Sequence, residues 1–314
     1  MYHRGAEGAE PAEGQVWTWG LGAGGGTGPG PIPERVPEPA PGQAANWPDQ
    51  RSVRVVELAG GTALARADAV IEEVPVALVY NGVSHAVMLV TPTDLKDFAL
   101  GFSLGEGILG SACELYDCEL VPVPQGIEAR LTLSGARFAA LKERRRTLAG
   151  RTGCGLCGVE SLAALERPLV PVGRTCTPAP GAIARALAEL PRHQALFRRT
   201  GGGHAAAWIG ADGQVQQVRE DVGRHNALDK LVGALVRRGL SPEAGFALCT
   251  SRASYEMVQK AMSAGIGLLV AVSAPTAAAV RLAQAARITL VGFARGERML
   301  VYTHPEPVTT HARS

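Results

Sequence analysis

Cys154 and Cys157 stand three positions apart among Gly153, Gly155 and Gly158, directly after Arg151. A Cys-x-x-Cys loop can bind metal, exchange disulfides or carry sulfur, and its surroundings bear on the choice. The thiolate is the reactive form, and cationic neighbours lower a thiol's pKa. Just upstream, Arg137, Lys142, Arg144, Arg145 and Arg146 face only Glu143. A structural zinc takes about four ligands, usually from two paired motifs. The chain has no second Cys-x-x-Cys, and Cys113 and Cys118 are loosely spaced. Reactive thiols therefore fit better than half a zinc site, and the flanking glycines admit a large partner closely.

Further polar clusters lie downstream. Three glycines precede His204 and the apolar run Ala205 to Ile209; such a turn presents N–H groups to phosphate or sulfate, or simply turns the chain tightly. Asp221, His225 and Asp229 recur every four residues and share one helix edge. His225 reads as a general acid/base, a ligand contact or a residue beside the core. Arg224 and Lys230 read as anion contacts or as solvated charges. Ser251 is the expected N-cap of the next helix, which leaves Arg252 unexplained by capping, and Glu256 and Lys260 form an i,i+4 pair. Ser273 to Thr276 repeats this strand-to-helix design, a good anion site because N–H groups and the dipole point outward. Arg295 and Arg298, on a turn that needs only glycine, suggest a phosphate contact.

Elements must hold these groups in place. Residues 1–50 form a Gly/Pro/Ala-rich tail with no apolar face to offset its ordering entropy. Residues 51–150 read as a small α+β domain. Its strands are 69–71, 76–80 and 86–90, with Asn81-Gly82 as a hairpin turn, followed by a helix over 94–104 and strands at 120–123 and 128–133. Residues 151–306 alternate helix (179–199, 223–237, 252–263, 276–286) with strand (205–209, 214–218, 245–249, 268–272, 288–292, 298–302). That alternation predicts a layered α/β domain, with 307–314 as a short tail.

Composition limits the function classes. Hydrophobic residues make up 46% and charged residues 19%, with a net charge of +2. That charge argues against a nucleic-acid partner. The uncharged run 261–280 is long enough for a membrane span, but Gly265, Gly267 and Pro275 divide it into strand, turn and helix. No membrane association is expected. Six cysteines in 314 residues are not a disulfide framework, and the opening residues lack a basic-then-apolar leader. A cytoplasmic setting is expected.

Taken together, these motifs resemble the formate dehydrogenase accessory sulfurtransferases, the FdhD/NarQ family. The resemblance covers about residues 53 to 304. It runs through Glu72-Glu73 to Asn81-Gly82, Met88 to Pro92, Gly101-Phe102 with Glu106-Gly107, and the Cys154/Cys157 loop. It continues through Thr200 to His204, Glu220 to Lys230, Arg252 to Glu256, Ser273 to Thr276 and Gly292 to Arg295. Thr250-Ser251 departs from the Ser-Gly expected before the arginine.

The resemblance implies a sulfur carrier. A cysteine desulfurase would load persulfide on Cys154, and Cys157 would relay or release it. The sulfur would pass to the molybdenum of a bis(molybdopterin guanine dinucleotide) cofactor, a bound substrate destined for formate dehydrogenase. It implies that Phe293, Ala294, Arg295, Gly296, Glu297 and Arg298 form the cofactor-binding segment. His204, Arg224, His225 and Arg252 are expected to join it. No permanent metal is expected. The family also implies a cytidine deaminase-like larger domain and a homodimer. Three other functions compete with sulfur carriage. A zinc deaminase needs His-x-Glu before its cysteines, whereas Ala205 and Ala206 follow His204 and the cysteines come first. A dithiol oxidoreductase motif usually opens a helix after a strand. A chaperone that only binds and delivers the cofactor is the third.

Overall fold

In the computed structural model of the chain, residues 47–146 and 169–309 are described. A two-stranded antiparallel ribbon comes first, β1 (Gln50–Ala59) and β2 (Thr62–Ile71), turned by Gly60 and Gly61 at positive φ. Its register is unbroken from Gln50↔Ile71 to Ala59↔Thr62. Sequence reading finds strand only at 69–71, because alternating Ala63, Ala65 and Ala67 are weak strand formers. The ribbon's base reaches the larger sheet, where Ile71 lies against Gly202 and Gly203.

Next come β3 (Val74–Tyr80), β4 (Val83–Val90), α1 (Leu95–Gly105), β5 (Leu115–Val123), β6 (Gly126–Leu133) and α2 (Gly135–Arg146). The strands make a sheet of order β4-β3-β6-β5, with the expected Asn81-Gly82 hairpin joining β3 and β4. Alternation in β3 sends Val74, Val76, Leu78 and Tyr80 inward against Phe98, Ala99 and Phe102 of α1. Helix α2 occupies part of the basic stretch for which no helix is expected from sequence; its charged residues mask helical periodicity.

The larger part contains α3 (Ala182–His193), α4 (Ala195–Thr200), β7 (His204–Gly210), β8 (Val215–Asp221), α5 (Arg224–Arg238), β9 (Gly245–Cys249), α6 (Tyr255–Ser263), β10 (Leu268–Ala271), α7 (Ala277–Ala285), β11 (Thr289–Arg295) and β12 (Arg298–Thr303). The single helix expected over 179–199 is broken at Gln194, two residues after the chain passes Pro191 and Arg192. Six strands pair in the order β12-β11-β10-β9-β7-β8, with β9, β10 and β11 parallel and the others antiparallel to their neighbours. Every residue of β9 and β10 is buried, as befits parallel strands covered on both faces. Helices α5, α6 and α7 cover one face around Trp208, Leu228 and Met257; α3 covers the other around Phe246, Leu248 and Val270. This is a mixed α/β fold, as expected.

The two sheets meet through α1 and α5. A Cβ at Gly101 would stand 1.8 Å from the Asp229 carbonyl oxygen, and one at Gly233 1.9 Å from that of Asp97. Only glycine lets these helices approach so closely. Arg219 and Arg237 then grip the buried Asp97 carboxylate at 2.6 and 2.7 Å. No helix among the described residues is long and apolar enough to cross a membrane.

Candidate functional site

The carboxyl ends of β9 and β10 build one wall after another. Beyond Cys249 the chain continues as Thr250 to Ala253, and beyond Ala271 as Val272 to Thr276. Backbone bonds from Val272 N to the Cys249 carbonyl (3.0 Å) and Thr276 N to the Ala253 carbonyl (3.0 Å) keep the two segments parallel. Strand β7 runs the other way, so its first residue, His204, lies at the same end. The Ala205 N–H donates to Thr250 Oγ1 at 2.9 Å and the Thr250 N–H to the Ala205 carbonyl at 3.0 Å. Helix α5 brings Arg224 in from the side.

The result is an open cleft of about 570 Å³ lined by His204, Arg224, Thr250–Arg252 and Ser273–Thr276. Among the described residues its lining carries two guanidinium groups and no carboxylate. Helices α5, α6 and α7 all begin at or just behind it, and helix N-termini favour anions. Burial lowers the His204 pKa, and Arg224 and His225 push the same way against Asp221. Burial and the neighbouring Arg252 lower that of Arg224 while Glu256 opposes them. The Arg224 Nε is buried and has no hydrogen-bond partner among the described residues. An anion entering the cleft would meet unspent donors and positive charge.

Three of the expected site residues, His204, Arg224 and Arg252, are thus brought together. His225 is not in the lining; its Nε2 lies 2.9 Å from Glu256 Oε2 and 3.2 Å from Ser254 Oγ. The segment 293–298 forms the end of β11 and its turn into β12. It joins the cleft wall through Phe293 N, which donates to the Ser273 carbonyl at 3.2 Å. Phe293 is exposed at φ 50°, Ala294 is buried, and Arg295, Gly296, Glu297 and Arg298 are exposed at the hairpin tip. Cys154 and Cys157 lie outside the described residues.

Several expectations need correction. Lys230 is neither solvated nor aimed at a ligand. Its Nζ is fully buried 2.7 Å from Asp221 Oδ2 and also donates to the Thr91 carbonyl at 2.9 Å. Burial lowers its pKa while Asp221 pushes it back up. Ser251 does not cap α6; the N-cap is Ser254, and the Ser251 hydroxyl donates to the Arg252 carbonyl. Helix α7 begins at Ala277, with Thr276 as its N-cap accepting from Ala279 N. Glu256 and Lys260 reach across to α5, Glu256 to His225 and Lys260 to Asp229 at 2.8 Å. Ser254 and Glu256, within the Arg252 to Glu256 motif, are bonded to His225, a pairing that spacing along one helix does not reveal.

Of the cysteines described, Cys176 and Cys249 are buried; burial pushes both thiols up, Cys249 to about 12. At neutral pH these are protonated and poor nucleophiles. Among the described residues no group of three or more His, Cys, Asp or Glu is placed to hold a metal ion.

Comparison with known proteins bears on the family. Residues 71–309 match the model of the FdhD/NarQ family. The chain is 50% identical over 267 residues to the sulfur carrier protein FdhD of Bordetella bronchiseptica, covering 84% of this chain and 97% of that one. With the FdhD of Cupriavidus necator it shares 53% over 268 residues, covering 85% and 93%. A crystal structure from Desulfotalea psychrophila, provisionally described as a formate dehydrogenase accessory protein, has the same fold. Its TM-score is 0.65 at 24% identity, covering 83% of this chain and all of that one. A family match across three-quarters of the sequence, with half-identical relatives over nearly their whole length, means that the chain belongs to the FdhD/NarQ family.

Proposed function

We propose that this protein is a sulfur carrier that moves persulfide sulfur from a cysteine desulfurase to a bound molybdenum bis(molybdopterin guanine dinucleotide). On this reading it works in the cytoplasm and serves formate dehydrogenase. The names of its half-identical relatives support the carrier role. The observation that carries the cofactor assignment is the cleft. Two arginines and a histidine, with no carboxylate among the described lining residues and three helices beginning nearby, suit the phosphates of a guanine dinucleotide, and the exposed Arg295 and Arg298 offer a second contact. The cleft's 570 Å³ holds one nucleotide end rather than the whole cofactor. We read the six-stranded layer as cytidine deaminase-like and the carrier as a homodimer.

The chemistry rests on Cys154. Its thiolate attacks the outer sulfur of the desulfurase persulfide, the S–S bond there breaks, and the desulfurase cysteine leaves as thiolate. Cys154 then holds the sulfur as its own persulfide. Attack by the Cys157 thiolate on the inner sulfur forms the Cys154–Cys157 disulfide. The outer sulfur leaves as hydrosulfide, taking the two electrons that oxidise the cysteine pair. The cleft residues hold the acceptor and move no electrons.

Mass spectrometry after incubation with a desulfurase and cysteine tests this. One added sulfur should appear at Cys154 and vanish in Cys154→Ala. A disulfide without added sulfur would favour a dithiol oxidoreductase. Restoration of formate dehydrogenase activity by Cys154→Ala in a deletion strain would favour a chaperone that only delivers cofactor.

A further inference from the structure

The ribbon of β1 and β2 is paired without a break over ten residues in each strand. Gly60 and Gly61 close it at φ 55° and 79°, the positive pair that a tight two-residue hairpin turn requires. From Arg54 to Ala67 every residue except Val55 is exposed. A two-stranded hairpin with both faces in water is marginal on its own, so so long a regular pairing calls for a cover. Cross-strand partners project to the same side, which sorts the ribbon into two faces. One carries Arg51, Glu57, Arg66 and Asp68, with Arg66 paired to Glu57 at 3.2 Å and to Asp68 at 3.7 Å; this side suits water. The other carries Val56, Leu58, Ala63, Ala65 and Ala67, with Arg54 as the ribbon's one charge there. Val56 is 55% exposed and Leu58 78%, and contiguous apolar surface left in water marks a contact.

The shape of the apolar face says what covers it. Its β1 side is a ridge of Val56 and Leu58; its β2 side, directly opposite them, is a trough of Ala65 and Ala63. A ridge beside a matching trough fits its own copy. Turning a second ribbon about a two-fold axis parallel to the strands sets each β1 over the other's β2, so that the large side chains of one lie on the alanines of the other. A single arginine gives the face no charge pattern for an unlike partner to read. We propose that this face is the contact between two copies of the chain, packed ridge into trough as an isologous interface. The proposal rests on the homodimer reading for its partner and adds the surface that makes the dimer.

The test is analytical ultracentrifugation of the full chain over a dilution series. The wild type should sediment as a dimer that dissociates on dilution. Leu58→Asp places a charge on the ridge and should raise the dimer dissociation constant at least about tenfold. Leu64→Asp, on the charged face, should leave it within about twofold. Both positions are exposed, and unchanged far-ultraviolet circular dichroism checks that the variants fold. A ridge-for-trough exchange probes the fit itself. Ala63→Leu fills the trough and should weaken the dimer about tenfold, although it adds apolar surface. Adding Leu58→Ala moves the ridge from β1 to β2 and should restore most of that loss. A dimer strengthened by Ala63→Leu would overturn the ridge-and-trough packing. A dimer indifferent to Leu58→Asp would refute the ribbon as its contact and leave the homodimer reading standing. A wild type that stays monomeric at every concentration would refute that reading and the proposal with it.

Discussion

The Lys230 ammonium and the Asp221 carboxylate meet at 2.7 Å with both side chains sealed from solvent. The carboxylate also accepts from the N–H groups of Thr91 and Gly223 and from the Asn226 amide, at 2.8 to 3.0 Å. One buried charge therefore binds the end of β4, the end of β8 and the start of α5. Removing a single partner strands the other charge, which costs about 3–5 kcal/mol. Asp221→Ala should lose stability on that scale in denaturant titrations. Combining Asp221→Asn with Lys230→Met should recover part of it. Equal stability of Asp221→Ala and wild type would refute the hub.

Gly101 and Gly233 allow α1 and α5 to touch backbone to backbone. Alanine at either position has nowhere to place its methyl group except by parting the helices. Each substitution should destabilise by at least about 3 kcal/mol, read as a lower urea midpoint.

Asp229 supplies a pH signature. Burial raises its pKa to about 6 against the opposing pull of Lys260. Its folded pKa thus lies above its unfolded value near 3.8, so its stabilising effect is fully present below that value and is lost as pH rises through 6. The swing is at most about 3 kcal/mol. Stability of the wild type relative to Asp229→Asn should fall between pH 4 and 6. Parallel pH profiles for the two proteins would contradict the shift.

Arg252 is exposed, and truncating it should leave stability within about 0.5 kcal/mol. Arg252→Ala should nevertheless weaken pyrophosphate about tenfold in calorimetry, the scale of a charge-assisted contact. Unchanged affinity would remove Arg252 from the site.

His204 should make anion binding pH-dependent. With burial, Arg224 and His225 lowering its pKa and Asp221 opposing them, it is neutral at pH 7.5 and gains charge below its ordinary range. Sulfate, which does not titrate there, should bind more tightly as pH falls toward 5.5. His204→Gln should flatten the trend, and a trend of unchanged steepness would exclude the histidine.

Sequence reading succeeds where one physical requirement dominates. Strands β9, β10 and β11 are continuous apolar runs because both faces are covered, and the stripe through Leu95, Phe98 and Phe102 marks α1 plainly. It fails where a residue's partner comes from another element. Lys230 looks solvated until β4 and β8 close over it. Glu256 looks like a partner for Lys260 until α5 offers His225 and Asp229. The alanine-rich ribbon is concealed because cross-strand pairing, not propensity, makes it. Arg224, Arg252 and His204 stand out in the sequence as polar candidates, but only the folded chain shows them sharing one cleft.

The reversed course of β7 also bears on when the protein becomes competent. The cleft needs His204 from the start of that strand, Arg252 from beyond β9 and Thr276 from beyond β10. A nascent chain still held by the ribosome lacks a wall until residues past Thr276 have emerged. Three segments distant in sequence thus meet only when the six-stranded sheet has closed, so the cleft and the sheet form in one step.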